Sequence, residues 1–184
     1  MFGLIASSIS GNLSSNFDSI ATYVVGSTAQ TSITFSSIPS TYKHLQLRSI
    51  VRSSTGASPE NLAYMQFNSD TGTNYSDHFL IGTGAVTAAN ADVNSVKMPV
   101  VESSNSGTLA NVFGATVLDI LDYADTNKYK TVKSICGTDA NGSGNIFLTS
   151  GSWRNTAAIS TITIIPEKVS FVQYSSFALY GIKG

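Results

Sequence analysis

The chain has 184 residues and a formal net charge of −1 from ten basic and eleven acidic side chains; 11% of it is charged and 42% is hydrophobic. A typical soluble domain carries about 25% charged residues, yet the hydrophobic share excludes a disordered polar tail, and with no basic excess there is no electrostatic footprint for nucleic acid. The single cysteine, Cys136, excludes an intrachain disulfide and a zinc cluster built on cysteines.

The N-terminal MFGLIASSISG is apolar but lacks a basic leader and a long apolar run, so no cleaved signal is expected. No stretch approaches the ~20 apolar residues of a membrane span, so membrane insertion is not expected either. Residues 1–16 are read as an N-terminal arm and anchoring segment, and residues 17–184 as one β-sandwich domain.

Residues 18–25 are rich in β-branched and aromatic side chains and predict a strand. Residues 31–38 alternate, with Ile33 and Phe35 on one face and Ser32 and Thr34 on the other, and Pro39 ends the run. Residues 43–52 give the clearest strand: Leu45, Leu47 and Val51 face one way, His44, Gln46, Arg48 and Arg52 the other. Ser58-Pro59 could cap a helix, but Tyr64, Met65 and Phe67 favour a strand over residues 62–68. A turn follows at 68–74, then one helical turn or a wide loop at 75–81.

Residues 82–111, rich in Ala, Asn, Ser and Gly, predict a long surface loop or arm with a strand-like island at 96–101. Residues 112–123 read as a buried strand in preference to a short helix, because of their β-branched content. Four more strands are predicted at 129–138, 145–154, 157–165 and 177–182. The total of roughly eight to ten strands is the pattern of an all-β, single-domain antiparallel sandwich of jelly-roll type. Ile162, Ile164 and Ile165 cannot share one face, which calls for a bulge or a second covered face.

Few constellations carry chemistry. Asp139, Asn141 and Ser143 alternate oxygen ligands as a calcium loop does, but the closing acid is absent and a Gly/Asn hairpin accounts for the same residues. Asp119, Asp122 and Asp125 would share a face only on a helix; on a strand Asp119 and Asp122 point apart. His44 and His78 lie in no nucleophile motif, and there is no Gly-x-Ser-x-Gly elbow. Cys136 reads as a small buried hydrophobe. Trp153, with Tyr75 and Tyr123, could stack on a sugar at the surface, the alternative for Trp153 being a place in the core. No cofactor is implied, and the chain is read as a non-enzyme.

The segments SITFSSIPSTYKHLQLRSIVRSS (32–54), FNSDTGTNYSDH (67–78), LDILDYADTNKYKT (118–131), LTSGSWRNTAAISTITI (148–164) and FALYGIKG (177–184) resemble a group of small virion structural proteins of tailed phages, notably marine and cyanobacterial ones. The resemblance runs from about residue 20 to the C-terminus and offers no catalytic residues. It implies a subunit on the exterior of the phage particle, made in the host cytoplasm, as a capsid decoration (cement) protein or a short tail-fibre, receptor-binding subunit. The implied partners are the major capsid protein or tail components, further copies of the chain, by analogy as a trimer, and a host surface glycan. A carbohydrate-binding, lectin-like module is the alternative reading.

Overall fold

The computed structural model describes residues 16–54, 60–105, 109–167 and 170–184. Among these there is no helix, and twelve strands follow in chain order: β1 Phe17–Val24, β2 Ile33–Phe35, β3 His44–Ser53, β4 Glu60–Phe67, β5 Tyr75–Gly82, β6 Thr87–Ser95, β7 Met98–Asn105, β8 Gly114–Leu121, β9 Lys130–Asp139, β10 Gly144–Trp153, β11 Ile162–Pro166 and β12 Ser176–Ile182. The all-β sandwich expected from the chain's texture is therefore present.

One layer has the order β1-β12-β3-β8-β9-β10-β5-β6 and is antiparallel throughout. The other is β2-β11-β4-β7, also antiparallel. The layers meet where the end of β3 pairs in parallel with the end of β7, Arg52 opposite Ser104 and Ser53 opposite Asn105. Asn61 on β4 reinforces this corner, its Nδ2 donating to Ser53 Oγ at 2.9 Å.

The core lies between the layers. Leu45, Leu47 and Val51 of β3, Leu118 and Ile120 of β8, and Val132 of β9 meet Ala63, Met65 and Phe67 of β4 and Ile162 and Ile164 of β11. Alternation along β8, β9 and β10 is nearly strict, burying every second residue, as a sheet with one covered face requires. Ser134 Oγ donates to the Val100 carbonyl at 2.7 Å and fastens β9 to β7 across the core. Gly151 leaves room for Met98, whose sulfur lies 2.8 Å from where a Cβ would stand.

Three segments fold otherwise than expected. Residues 75–81 form β5, not a helical turn or wide loop, because Tyr75 and Asp77 point inward and the chain pairs with β10 along its whole length. Residues 82–111 are not one long loop or arm: they contain β6 and β7. The strand β6 shows no alternation because nearly every residue on it is exposed, and pairing with β5 holds it at the sheet's edge. Within 157–165 only the part from Ile162 is strand. Before it, Asn68 Oδ1 accepts the amides of Ser160 and Thr161 at 2.9 and 3.1 Å and holds the chain in an irregular path. Ile162 and Ile164 are buried while Ile165 faces the other way, so of the two expected alternatives ordinary alternation replaces the bulge, and a covered second face would concern Ile165 alone. The helix cap at Ser58-Pro59, and all of the arm over residues 1–16 except Asn16, lie outside the described residues.

Candidate interaction surface

The outer face of the eight-stranded layer carries three straight cross-strand rows, because register is unbroken from β12 to β5. The middle row is Ala178, Arg48, Val117, Ile135, Leu148 and Leu80. On one side lie Tyr180, Gln46, Asp119, Lys133, Ser150 and His78, and on the other Ser176, Ile50, Ala115, Gly137, Ile146 and Gly82. Directly opposed side chains on antiparallel strands touch within about 4.5–5.5 Å, so the apolar members form one continuous patch. Val117, Ile135, Leu148, Leu80, Ile50 and Ile146 are between 41% and 55% exposed, far more than isolated surface hydrophobes would need explained. Two shallow depressions of about 580 and 550 Å³ lie on this face, one floored by Val117, Ile135 and Ile146, the other by Leu80, Leu121 and Leu148.

The charges on the face are sparse and ordered. Asp119 accepts from Gln46 Nε2 at 2.8 Å, and Gln46 Oε1 accepts from Arg48 Nε at 2.8 Å. The Arg48 guanidinium lies over the rings of Tyr180 and Phe17, at 5.5 and 5.8 Å, which draws it towards the β1 edge. Lys133 is exposed beside Asp119, and neither forms an ion pair among the described residues.

The three aromatics expected to present a sugar-stacking surface do not do so. Trp153, Tyr75 and Tyr123 are 1%, 0% and 0% exposed, each drawn inward by an apolar ring and anchored by its polar tip. Trp153 packs on Phe67 and Tyr75 with centroids 5.5 and 6.4 Å away, and its Nε1 donates to Asp70. Tyr75 Oη accepts from the Phe67 amide at 2.9 Å, and burial pushes this phenol up to about 12. Tyr123 Oη donates to the Pro39 carbonyl.

Asp139, Asn141 and Ser143 sit in the tight β9–β10 hairpin. Asp139 Oδ1 accepts the Asn141 amide at 2.9 Å, and Asn141 and Gly142 have φ of 58° and 105°. This is hairpin chemistry, and among the described residues no group of three or more His, Cys, Asp or Glu is placed to hold a metal.

The three aspartates at 119, 122 and 125 do not form one cluster. Asp119 lies on the outer face, while Asp122 and Asp125 shape the turn after β8. Hydrogen bonds from Lys128 and from Lys43, at 2.8 Å, hold the Asp122 carboxyl down at about 2, which suits an ion-paired turn and not a proton donor. His44 Nδ1 accepts the Asp122 amide at 3.0 Å. Cys136 is 4% exposed and faces the core.

Two buried ionisable groups had no sequence signal. Lys130 is fully buried, and its Nζ donates to the carbonyls of Asp125, Lys128 and Thr156. Burial lowers its pKa. Asp77, on the inner side of β5, is 1% exposed with neither carboxylate oxygen bonded. Burial, then the charge of Asp92 on β6, push it up to about 6, against a smaller opposite effect from His78.

No protein-family model, curated protein or solved structure matches this chain.

Proposed function

We propose that this protein is a non-enzymatic structural subunit of the exterior of a tailed-phage particle, packing against neighbouring subunits through the outer face of its eight-stranded layer. The observation that carries this reading is the in-register apolar patch of Val117, Ile135, Leu148 and Leu80. An exposed apolar patch of this kind marks a protein contact surface, and a surface with so few charges presents little desolvation cost to close packing. The phage setting rests on the resemblance of segments 32–54, 67–78, 118–131, 148–164 and 177–184.

Within that setting the subunit serves as a decoration protein on the head or as a short tail-fibre subunit. The glycan-binding reading loses its residues, since Trp153, Tyr75 and Tyr123 are interior. Gold-conjugated antibody against the protein, applied to purified particles, tests the proposal: label on the head or on the tail supports it and separates the two roles. Particles that carry no label and no peptide of the protein by mass spectrometry overturn it.

A further inference from the structure

The outer face is complementary to itself. Six strands take part, β12, β3 and β8 on one side and β9, β10 and β5 on the other. A two-fold axis parallel to the strands, running over the seam between β8 and β9, exchanges β8 with β9, β3 with β10 and β12 with β5. In the polar row this sets Asp119 of each copy over Lys133 of the other, and Gln46 over Ser150. In the middle row Val117 meets Ile135, Ala178 meets Leu80, and Arg48 lies over Leu148; in the third, Ile50 meets Ile146 and Ala115 meets Gly137. Asp119 thus faces Lys133 in both directions, and the apolar side chains face one another except Leu148, which faces Arg48.

Other registers lose this match. Moving the axis half a strand, onto β8 or β9, sets Asp119 or Lys133 over its own copy, a like-charge contact; moving it a full strand sets Asp119 over His78 or Gln46 and breaks the opposite-charge pairs. We infer that the face is a two-fold self-association surface whose register is fixed by reciprocal Asp119–Lys133 pairs between two copies of the chain.

The size is adequate. Six strands about 4.8 Å apart and some eight residues long at about 3.3 Å each span about 29 by 26 Å, or roughly 750 Å² per copy. A stable interface buries about 800 Å² per partner. Such an isologous contact is the commonest closed symmetry, and two twisted sheets stack face to face with their strands about 30° apart. Arg48 lies over Leu148 in this arrangement, and stacking on Tyr180 and Phe17 draws its guanidinium towards the β1 edge, away from the seam.

The inference rests on reading this face as a contact surface but not on the phage setting, so particle labelling and solution mass fail separately. The test is light scattering and sedimentation of the full chain over a concentration series up to about 100 µM. The expected mass is twice the 19.3 kDa of one chain. Asp119→Lys or Lys133→Asp alone should weaken the dimer about tenfold or more by setting like charges face to face, and the combined swap should restore it. A monomer at the highest concentration, a trimer, single reversals without effect, or a swap that does not rescue would each overturn the inference. A second measurement needs no variant. In a mixture of isotopically light and heavy protein, carbodiimide should join the Asp119 peptide of one copy to the Lys133 peptide of the other. Exclusively intrachain products would overturn it.

Discussion

The indole Nε1 of Trp153 donates to Asp70 Oδ2 at 2.7 Å, tying the end of β10 to the turn between β4 and β5. The same carboxylate accepts from Asn74 Nδ2 at 2.9 Å and, through Oδ1, from the Gly72 amide at 2.8 Å. Desolvation raises the pKa of Asp70, and the bonds from Asn74, Trp153 and Gly72 outweigh it, so the group titrates below the usual carboxylate range.

Replacing Asp70 with Ala should therefore destabilise the fold by about 1–3 kcal/mol, since a buried indole N–H is left unpaired. Trp153 is the only tryptophan, so urea unfolding followed by its fluorescence reads this site directly. The midpoint should fall with an unchanged slope. An unaltered midpoint would show that the tie contributes nothing.

Asp77 makes stability depend on pH in the opposite sense to an ion-paired carboxylate. Its pKa is about 6 in the fold, against the ordinary aspartate value of 3.8, so between these values the folded chain binds more protons than the unfolded one. Its contribution therefore makes stability fall as pH rises from about 4 to about 6, by at most roughly 2–3 kcal/mol, and then level off. Asp77→Asn should remove that slope and be the more stable protein at pH 7. Thermal melts of both proteins at pH 4, 5, 6 and 7 check this; parallel profiles would contradict it.

The β9–β10 hairpin supplies a third prediction. Gly144 has φ of +139°, and a Cβ there would stand 2.2 Å from the Thr138 carbonyl oxygen. Gly144→Ala should cost about 2 kcal/mol or more in chemical denaturation. Millimolar calcium should leave the melting temperature of the wild-type chain unchanged, because Asp139 is already committed to the Asn141 amide. A calcium-dependent rise abolished by Asp139→Asn would restore the metal-loop reading.

The elements legible in the sequence are those whose burial alternates. In β3 the period of two is written in Leu45, Leu47 and Val51, and all three are fully buried. The strand β6 could not be read, because alternation arises from one covered face and β6 has none: Thr87–Ser95 is exposed almost throughout. The strand β5 was obscured by Asp77, a carboxylate on the buried side, where a binary pattern expects an apolar residue. Trp153, Tyr75 and Tyr123 could be picked out as large aromatics, but composition does not tell which way a ring points. The patch itself was spread over residues 80, 117, 135 and 148, and only strand pairing brings them into one row.

On the proposed reading, the outer face of the eight-stranded layer is the protein's contact surface on a particle. The most direct measurement is competitive incorporation: wild type and Ile135→Asp, both verified as folded by circular dichroism, are supplied together during phage growth. Ile135 is 50% exposed, so the substitution should leave folding nearly intact while placing a charge in the middle of the apolar row. The account predicts that purified particles contain the variant at about a tenth of the wild-type level or less, as expected if a buried charge costs the contact more than 1.4 kcal/mol. Equal incorporation of the two proteins would contradict it.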